Sequence, residues 1–474
     1  MQRSLSTDAP QPNGRVDHKT SGSTIFIEHR DGRMFQRLES NGLRLEYPVA
    51  YAVGDGKAGY SYLVHIGDYL FQSPVSFYSQ ARTWDLTPGY EPEPVLDFTH
   101  PISEGCIFCH SGTANLIAGS GNRFGVPALE PISCERCHGS VEAHLKNPVP
   151  GSIVNPAKLS RTERDSVCEQ CHLEGELRIL NPGKRWFDFE AGADLESVFV
   201  TYVRHSTGVK AVSQSEQLAL SRCARESQGK LWCGSCHDPH SAGADRALEV
   251  RAVCLGCHAQ LLAAGKHRPA QECVSCHMPR LRPSNVAHTA ITDHRISTPE
   301  TRKKDRVISA NGELTAWRQP ALDLIQRDLG LALFQSSLSS KTHEGLTRAY
   351  DILAHLSSDQ RSDPDVLAAL AATLLAEGHK DLSISLYSKA VSLRPGNARL
   401  TYCLGAAFAA KGDAVSAIRE LEKSVQLDPS DPDPYLKLAA TYEKSGHKKE
   451  ARAALRAYLG FMPQNLTFRR RLGE

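Results

Sequence analysis

Residues 230–240 read KLWCGSCHDPH, and the five letters CGSCH within them decide how this chain folds. The same Cys-x-x-Cys-His pattern occurs six times, at Cys106/Cys109/His110, Cys134/Cys137/His138, Cys168/Cys171/His172, Cys233/Cys236/His237, Cys254/Cys257/His258 and Cys273/Cys276/His277. Two thiols separated by two residues reach the two vinyl groups on adjacent edges of one porphyrin. The imidazole that follows then lies beneath the ring and binds the iron. Zinc ribbons also use Cys-x-x-Cys pairs, joined two by two. Zinc gives no reason for a histidine after every second cysteine in a chain with only 20 histidines among 474 residues. The motifs therefore specify six covalently attached haem c groups.

The remaining cysteines are few. Of 14 in the chain, only Cys223 and Cys403 stand outside the motifs. Six identical tight pairs are not the spacing of a disulfide framework. Haem attachment needs reduced thiols and an assembly machinery outside the cytoplasm, so a periplasmic or otherwise extracytoplasmic protein is expected. The opening MQRSLSTDAPQPNG shows no apolar core of a signal peptide. Hydrophobic content of 41% and charged content of 23% describe an ordinary globular protein. A net charge of +2 gives no reason to expect a nucleic-acid partner. No apolar run reaches the ~18 residues of a membrane span, so no integral membrane segment is expected.

The sixth iron ligand sets the chemistry. Methionine occurs only at Met1, Met34, Met278 and Met462, and Met278 follows a proximal ligand too closely to cross the same ring. Histidine is the abundant alternative. His144 follows His138 by six residues, and His267 precedes Cys273 by six. His240 lies three residues after His237, too close to cross its own ring, and so suits a neighbouring haem. His288 and His294 follow the last motif. These five are the expected distal ligands, giving mostly bis-histidine irons of relatively low potential with no open position. His100 and His205 are weaker candidates, and His65 reads as a surface residue in a hairpin turn, HIGD at 65–68. No catalytic residue is assigned.

Along the chain, residues 1–22 read as a disordered lead and 23–96 as a small β unit, from alternating segments such as LRLEYPV (43–49) and YSYLVHI (60–66). Residues 97–304 hold every motif but little regular periodicity, as in a domain packed around haems. Residues 305–316 read as a linker. From 317 to 474 a repeat appears: Gly378, Gly412 and Gly446 are spaced by 34, as are Pro395, Pro429 and Pro463, and Ala371, Gly405 and Ala439. That period is the tetratricopeptide signature, and a weaker helix pair at about 319–360 would start the stack. The expected class is mainly α with sparse secondary structure, a small N-terminal β unit and a C-terminal α-solenoid. The repeats are expected to fold alone, and the haem domain only with haem.

The stretches ISCERCHGSVEAH (132–144), KLWCGSCHDPH, ECVSCHMPR (272–280) and HTAITDHRI (288–296) resemble exported bacterial multihaem cytochromes fused to tetratricopeptide repeats. The haem part is similar to the larger group of hydroxylamine oxidoreductase and its tetrahaem partner cytochromes. The resemblance implies distal-ligand roles for His144, His240, His267, His288 and His294. It also exposes a departure. Relatives carry a histidine shortly before the Ser221-Arg222-Cys223 triplet, where this chain has Gln214. One haem is thereby expected to lack its usual sixth ligand.

Three functions compete. The leading one is electron transfer through closely packed haems, with the repeats docking redox partner proteins. The second is a nitrite- or hydroxylamine-type redox enzyme with one open haem. The third is a haem-bearing structural subunit of an assembly or filament. Oligomeric state is left open.

Overall fold

The computed structural model describes residues 5–6, 11–40, 42–90, 95–204, 208–240, 247–263, 272–304 and 312–473. The chain divides into two units: residues 132–319, and residues 3–131 together with 320–474.

In the second of these, an antiparallel meander runs through β2 (Gly14–His18), β3 (Ser23–Arg30), β4 (Arg33–Ser40), β5 (Leu43–Val53), β6 (Ser61–Ile66) and β7 (Tyr69–Gln72), with β1 (Leu5–Ser6) added on β5. The period-2 pattern explains it. Ile25 and Ile27 on β3 and Leu38 on β4 are buried while their neighbours face outward. The β3–β4 hairpin turns on Asp31–Gly32, both at positive φ (52° and 75°), as a two-residue turn between twisted strands requires. The sheet begins earlier than the sequence suggests, inside the expected disordered lead. Val16 pairs with Ile25 and is buried, and the polar Arg15 and Asp17 on either side mask a strand of only five residues. The chain reverses at Gly67–Asp68, so His65 sits within β6 opposite Leu70, 6.1 Å from the Tyr51 ring, rather than at the turn.

The C-terminal helices form a tetratricopeptide-like solenoid. Helix pairs run Pro364–Ala376 with Lys380–Leu393, Ala398–Lys411 with Ala414–Leu427, and Pro432–Lys444 with Lys448–Phe461. A pair at Ile325–Ser340 and His343–Ala354 precedes them, and Leu466–Leu472 closes the stack. Gly378, Gly412 and Gly446 sit where the chain turns within each pair, at φ of 89°, 96° and 82°, which is why glycine recurs there. Gly405 recurs with Ala371 and Ala439 because a Cβ at 405 would come within 2.8 Å of the Leu421 side chain.

The β sheet and the last repeat share one core. Tyr62, Phe71 and Phe98 are buried in the same cluster as Tyr435, Leu455, Tyr458 and Phe468. Tyr47 also donates a hydrogen bond to Gln464 Oε1, at 3.1 Å. The first haem motif, beginning on the short helix Glu104–Ile107, belongs to this unit and not with the other five.

Residues 132–319 carry little regular structure. Helix Arg161–His172 opens with a reciprocal Ser160/Glu163 capping box. A three-stranded sheet joins Leu177–Leu180, Phe199–Arg204 and Leu314–Ala316. That last strand lies in the expected linker, of which residues 305–311 fall outside the described residues. Leu314 is buried, and so anchors a segment whose polar composition suggests a spacer. Trp317 likewise belongs here rather than to the repeats, donating its indole N–H to Glu169 Oε1 at 3.2 Å. Buried apolar side chains concentrate between Val167 and Val209.

Candidate haem centres

Four of the motifs form a single helical turn, within helices Glu135–His138, Arg161–His172, Cys233–Cys236 and Cys273–His277 or at their ends. Cysteines at i and i+3 on a turn face the same side, so both thiols present to one flat partner. The fifth motif lies in helix Ala247–Ala263, where His258 departs from helical geometry (φ −114°, ψ 21°) and kinks the chain. None of the 14 cysteines is in a disulfide, and none of the twelve in the motifs is fully buried.

The six motifs do not share one environment, which corrects the expectation of a single domain enclosing them all. Cys106, Cys109 and His110 lie in the unit of residues 3–131 and 320–474. There Ser103 caps the helix and donates to Cys106 Sγ at 3.2 Å. Cys109 and His110 follow in a turn rather than in the helix, both half-buried, with the His110 backbone N–H bonded to the Ile107 carbonyl at 2.9 Å. In the other unit, Cys168 and Cys171 are half-buried on the one long capped helix, whose last residue is His172. Cys134 is exposed and Cys137 half-buried, with burial pushing the Cys137 thiol up; Cys233 and Cys236 are both half-buried. The last two motifs are as open as the first two, each with one exposed and one half-buried cysteine. Cys257, just before the kink at His258, and Cys276, with Ser275 Oγ 4.0 Å from its sulfur, are both exposed, while Cys254 and Cys273 are half-buried. Among the side chains whose burial is described at 250–260 and 272–304, no large apolar one is fully buried.

The imidazoles are arranged in pairs. The His138 and His240 rings have centroids 5.7 Å apart and planes 18° from parallel. His237 and His294 are 6.2 Å apart at 25°. Two imidazoles holding one iron from opposite faces have ring centres about 6 Å apart, because each metal–nitrogen bond is ~2 Å and each ring radius ~1 Å. Ring orientation follows the same logic. His138 Nδ1 donates to the Val154 carbonyl at 2.7 Å, and His294 Nδ1 to the Thr292 carbonyl at 2.9 Å. His240 Nδ1 faces the Asp238 carboxylate at 3.3 Å. Holding Nδ1 fixes the tautomer and leaves the Nε2 lone pair for a metal. Burial holds the His294 imidazole below the ordinary histidine range, keeping it in the neutral, ligating form.

Neighbouring motifs touch. The Cys168 thiol lies beside Cys233, and the Cys254 thiol beside Cys273. Gln170, on the third-motif helix, donates to the Arg136 carbonyl of the second motif at 2.9 Å. The Arg164 guanidinium lies over the Trp232 ring, 4.7 Å away, linking that helix to the fourth motif. These ties fix motifs two, three and four relative to one another.

The other expected ligands are placed as follows. His144 Nδ1 meets Ser152 Oγ at 2.9 Å. His277 ends its helix, and its backbone carbonyl accepts from Ser297 N at 3.1 Å. His288 has a left-handed backbone (φ 53°), uncommon for a non-glycine residue. His267 and His205 lie outside the described residues. His100 stacks on Tyr90, centroids 3.9 Å apart, in the unit that holds the first motif. Sequence reasoning misses the groups that orient the imidazoles. The Val154 and Thr292 carbonyls carry no side-chain signal, whereas the Asp of CHDPH is legible beside its histidine. Among the described residues, no three or more His, Cys, Asp or Glu converge as a zinc site would require. The donor set fits haem c.

The comparisons agree at this level. A doubled CXXCH motif family matches residues 226–263, and a tetratricopeptide repeat family matches residues 408–467. The chain carries the marks of a multihaem c-type cytochrome with tetratricopeptide repeats. No curated protein matches it. Among solved structures it is similar to the MamA RS-1 double mutant, at 20% identity and a TM-score of 0.28, over 31% of this chain and 82% of that one. It is also similar to MamA AMB-1, at 18% identity and 0.26, over 32% and 89%. Among the described residues, no helix is long and apolar enough to cross a membrane.

Proposed function

We propose that this chain is an extracytoplasmic electron carrier holding six haem c groups, most of them bis-histidine ligated, whose repeat domain docks a redox partner protein. The observation that carries the reading is the pairing of His138 with His240 and of His237 with His294 at iron-spanning distance. Irons closed on both faces exchange electrons but have no position for a substrate. Haem bound at the motifs would supply one-electron exchange at iron. The protein's part is to orient each imidazole through Nδ1 and to keep neighbouring centres close. The closeness of Cys168 to Cys233, and of Cys254 to Cys273, supports short steps from the third motif to the fourth and from the fifth to the sixth. Relation to the hydroxylamine oxidoreductase group belongs to the same proposal.

A second reading, a redox enzyme of small nitrogen compounds, is favoured by one observation. Position 214, where relatives carry a histidine, holds a glutamine. Intact mass and the EPR spectrum of the oxidised, export-expressed protein test both. The carrier reading expects the chain plus six haem masses and low-spin signals throughout. A zinc-rich, haem-free protein overturns it, and a high-spin iron that turns over nitrite or hydroxylamine establishes the second.

A further inference from the structure

Helix Gln214–Leu220 lies against the third haem motif. Gln214 Oε1 is 3.1 Å from His172 Nδ1. Its amide nitrogen donates to the Ala211 carbonyl at 2.9 Å, which fixes the amide so that oxygen, not nitrogen, faces the imidazole. An amide oxygen only accepts, so His172 carries its proton on Nδ1. The Nε2 lone pair is then the one left for iron.

The loop bearing Gln214 is anchored to the stretch just past His172. Glu174, two residues on, accepts from Val212 N at 3.2 Å and from Asn285 Nδ2 at 2.8 Å, and Asn285 Oδ1 accepts from Ala211 N at 2.9 Å. Glu216 accepts from Gly175 N at 2.7 Å. The same helix reaches another centre, since Gln217 Oε1 accepts from the backbone N–H of His294 at 2.9 Å. Gln214 is therefore held from several sides in front of one imidazole.

We propose that Gln214 is the positioning residue of the third haem motif, fixing the His172 tautomer and setting the redox potential of that one centre. The inference rests on the reading of the motifs as haem sites. His138 and His294 hold Nδ1 against backbone carbonyls, which no substitution can alter. At His172 the acceptor is a neutral side chain, so its strength is open to change. A carboxylate there draws the Nδ1 proton harder, makes the imidazole a stronger electron donor and stabilises the oxidised iron.

The test is an optical redox measurement on the full haem-loaded chain, comparing the parent with Gln214→Glu and Gln214→Leu, after intact mass has established haem content. Gln214→Glu should shift one component, about a sixth of the absorbance change, to lower potential. Gln214→Leu should shift the same component the other way, with the remaining five unmoved. A fully loaded parent in which neither variant moves a single component overturns the inference alone. A haem-free parent overturns the haem reading, and the inference with it. A parent with one carbon-monoxide-binding, high-spin iron that Gln214→His converts to low-spin places Gln214 at a sixth-ligand position, and also overturns the positioning role.

Discussion

Tyr69, at the start of β7, meets Phe461, at the end of the last repeat's second helix, edge to face with ring centroids 5.3 Å apart. Two segments almost 400 positions apart in sequence thus contribute to one core, with Tyr458 and Phe468 beside them. Phe461 is half-buried, so Phe461→Ala should cost about 2 kcal/mol, less than the ~3–5 of a fully buried phenylalanine. Thermal melts of the full chain should show it. For the same reason residues 320–474 alone, expected from their periodicity to fold independently, should be helical but melt below their temperature in the whole chain. Equal melting temperatures would show that the shared core adds nothing.

The imidazole pairs give a sharper prediction. His240→Ala removes one face of the His138 pair, and His294→Ala one face of the His237 pair. Each variant should convert a single iron to a high-spin, carbon-monoxide-binding form while haem mass stays complete. His355→Ala, on an exposed histidine at the end of a repeat helix, is the control and should change nothing. If His240→Ala leaves every iron low-spin, His240 is not a ligand.

How much of this was legible follows from which forces write themselves into sequence. Covalent attachment needs fixed residues at fixed spacing, so Cys233, Cys236 and His237 are readable at sight. The 34-residue step is equally plain, because Gly412 must adopt φ 96° and Gly405 must clear Leu421. Which histidine faces which was not readable, since His138 and His240 are 102 positions apart and brought together by the fold. Nor does the spacing of Cys106, Cys109 and His110 tell that this motif sits in a different unit from the rest. The joint core was hidden too. Tyr458 and Phe71 satisfy a helical and a strand period separately, and neither period says what covers its apolar face.

A pH prediction comes from the first repeat pair. Arg327 is buried and bonds Asp328 at 2.5 Å and Asp363 at 2.8 Å. Burial outweighs Arg327 at Asp328 and pushes its carboxyl up to about 6, from an ordinary value near 4. An acid whose pKa is higher folded than unfolded binds more protons in the native state, so stability falls as pH rises through this window. Denaturant melts should lose roughly 2–3 kcal/mol between pH 4 and 6 from this group, then level off. Asp328→Asn should flatten that segment of the pH profile. A variant with the parent's profile would assign the dependence to other groups.

The last prediction concerns what haem does for the fold. Among the side chains whose burial is described between 225 and 313, no Ala, Val, Ile, Leu, Met, Phe, Trp or Tyr is fully buried. Residues 161–204 differ, with Val167, Leu173, Ile179, Leu195, Phe199 and Tyr202 buried around their own helix and strands. A segment of that length with so little apolar burial cannot offset its conformational entropy, at roughly 1–2 kcal/mol per residue for the backbone. The porphyrins of the three motifs in this segment, as large flat apolar bodies, would supply the burial. The unit should therefore lose order unevenly when haem is withheld. In protein expressed without the attachment machinery, amide hydrogen exchange should be fast across the described residues of 225–304 yet stay protected in Phe199–Arg204, which is paired on both sides by Leu177–Leu180 and Leu314–Ala316. Protection of Cys254–His258 in the haem-free chain would show that polypeptide packing alone holds the region, and the dependence on haem would fall.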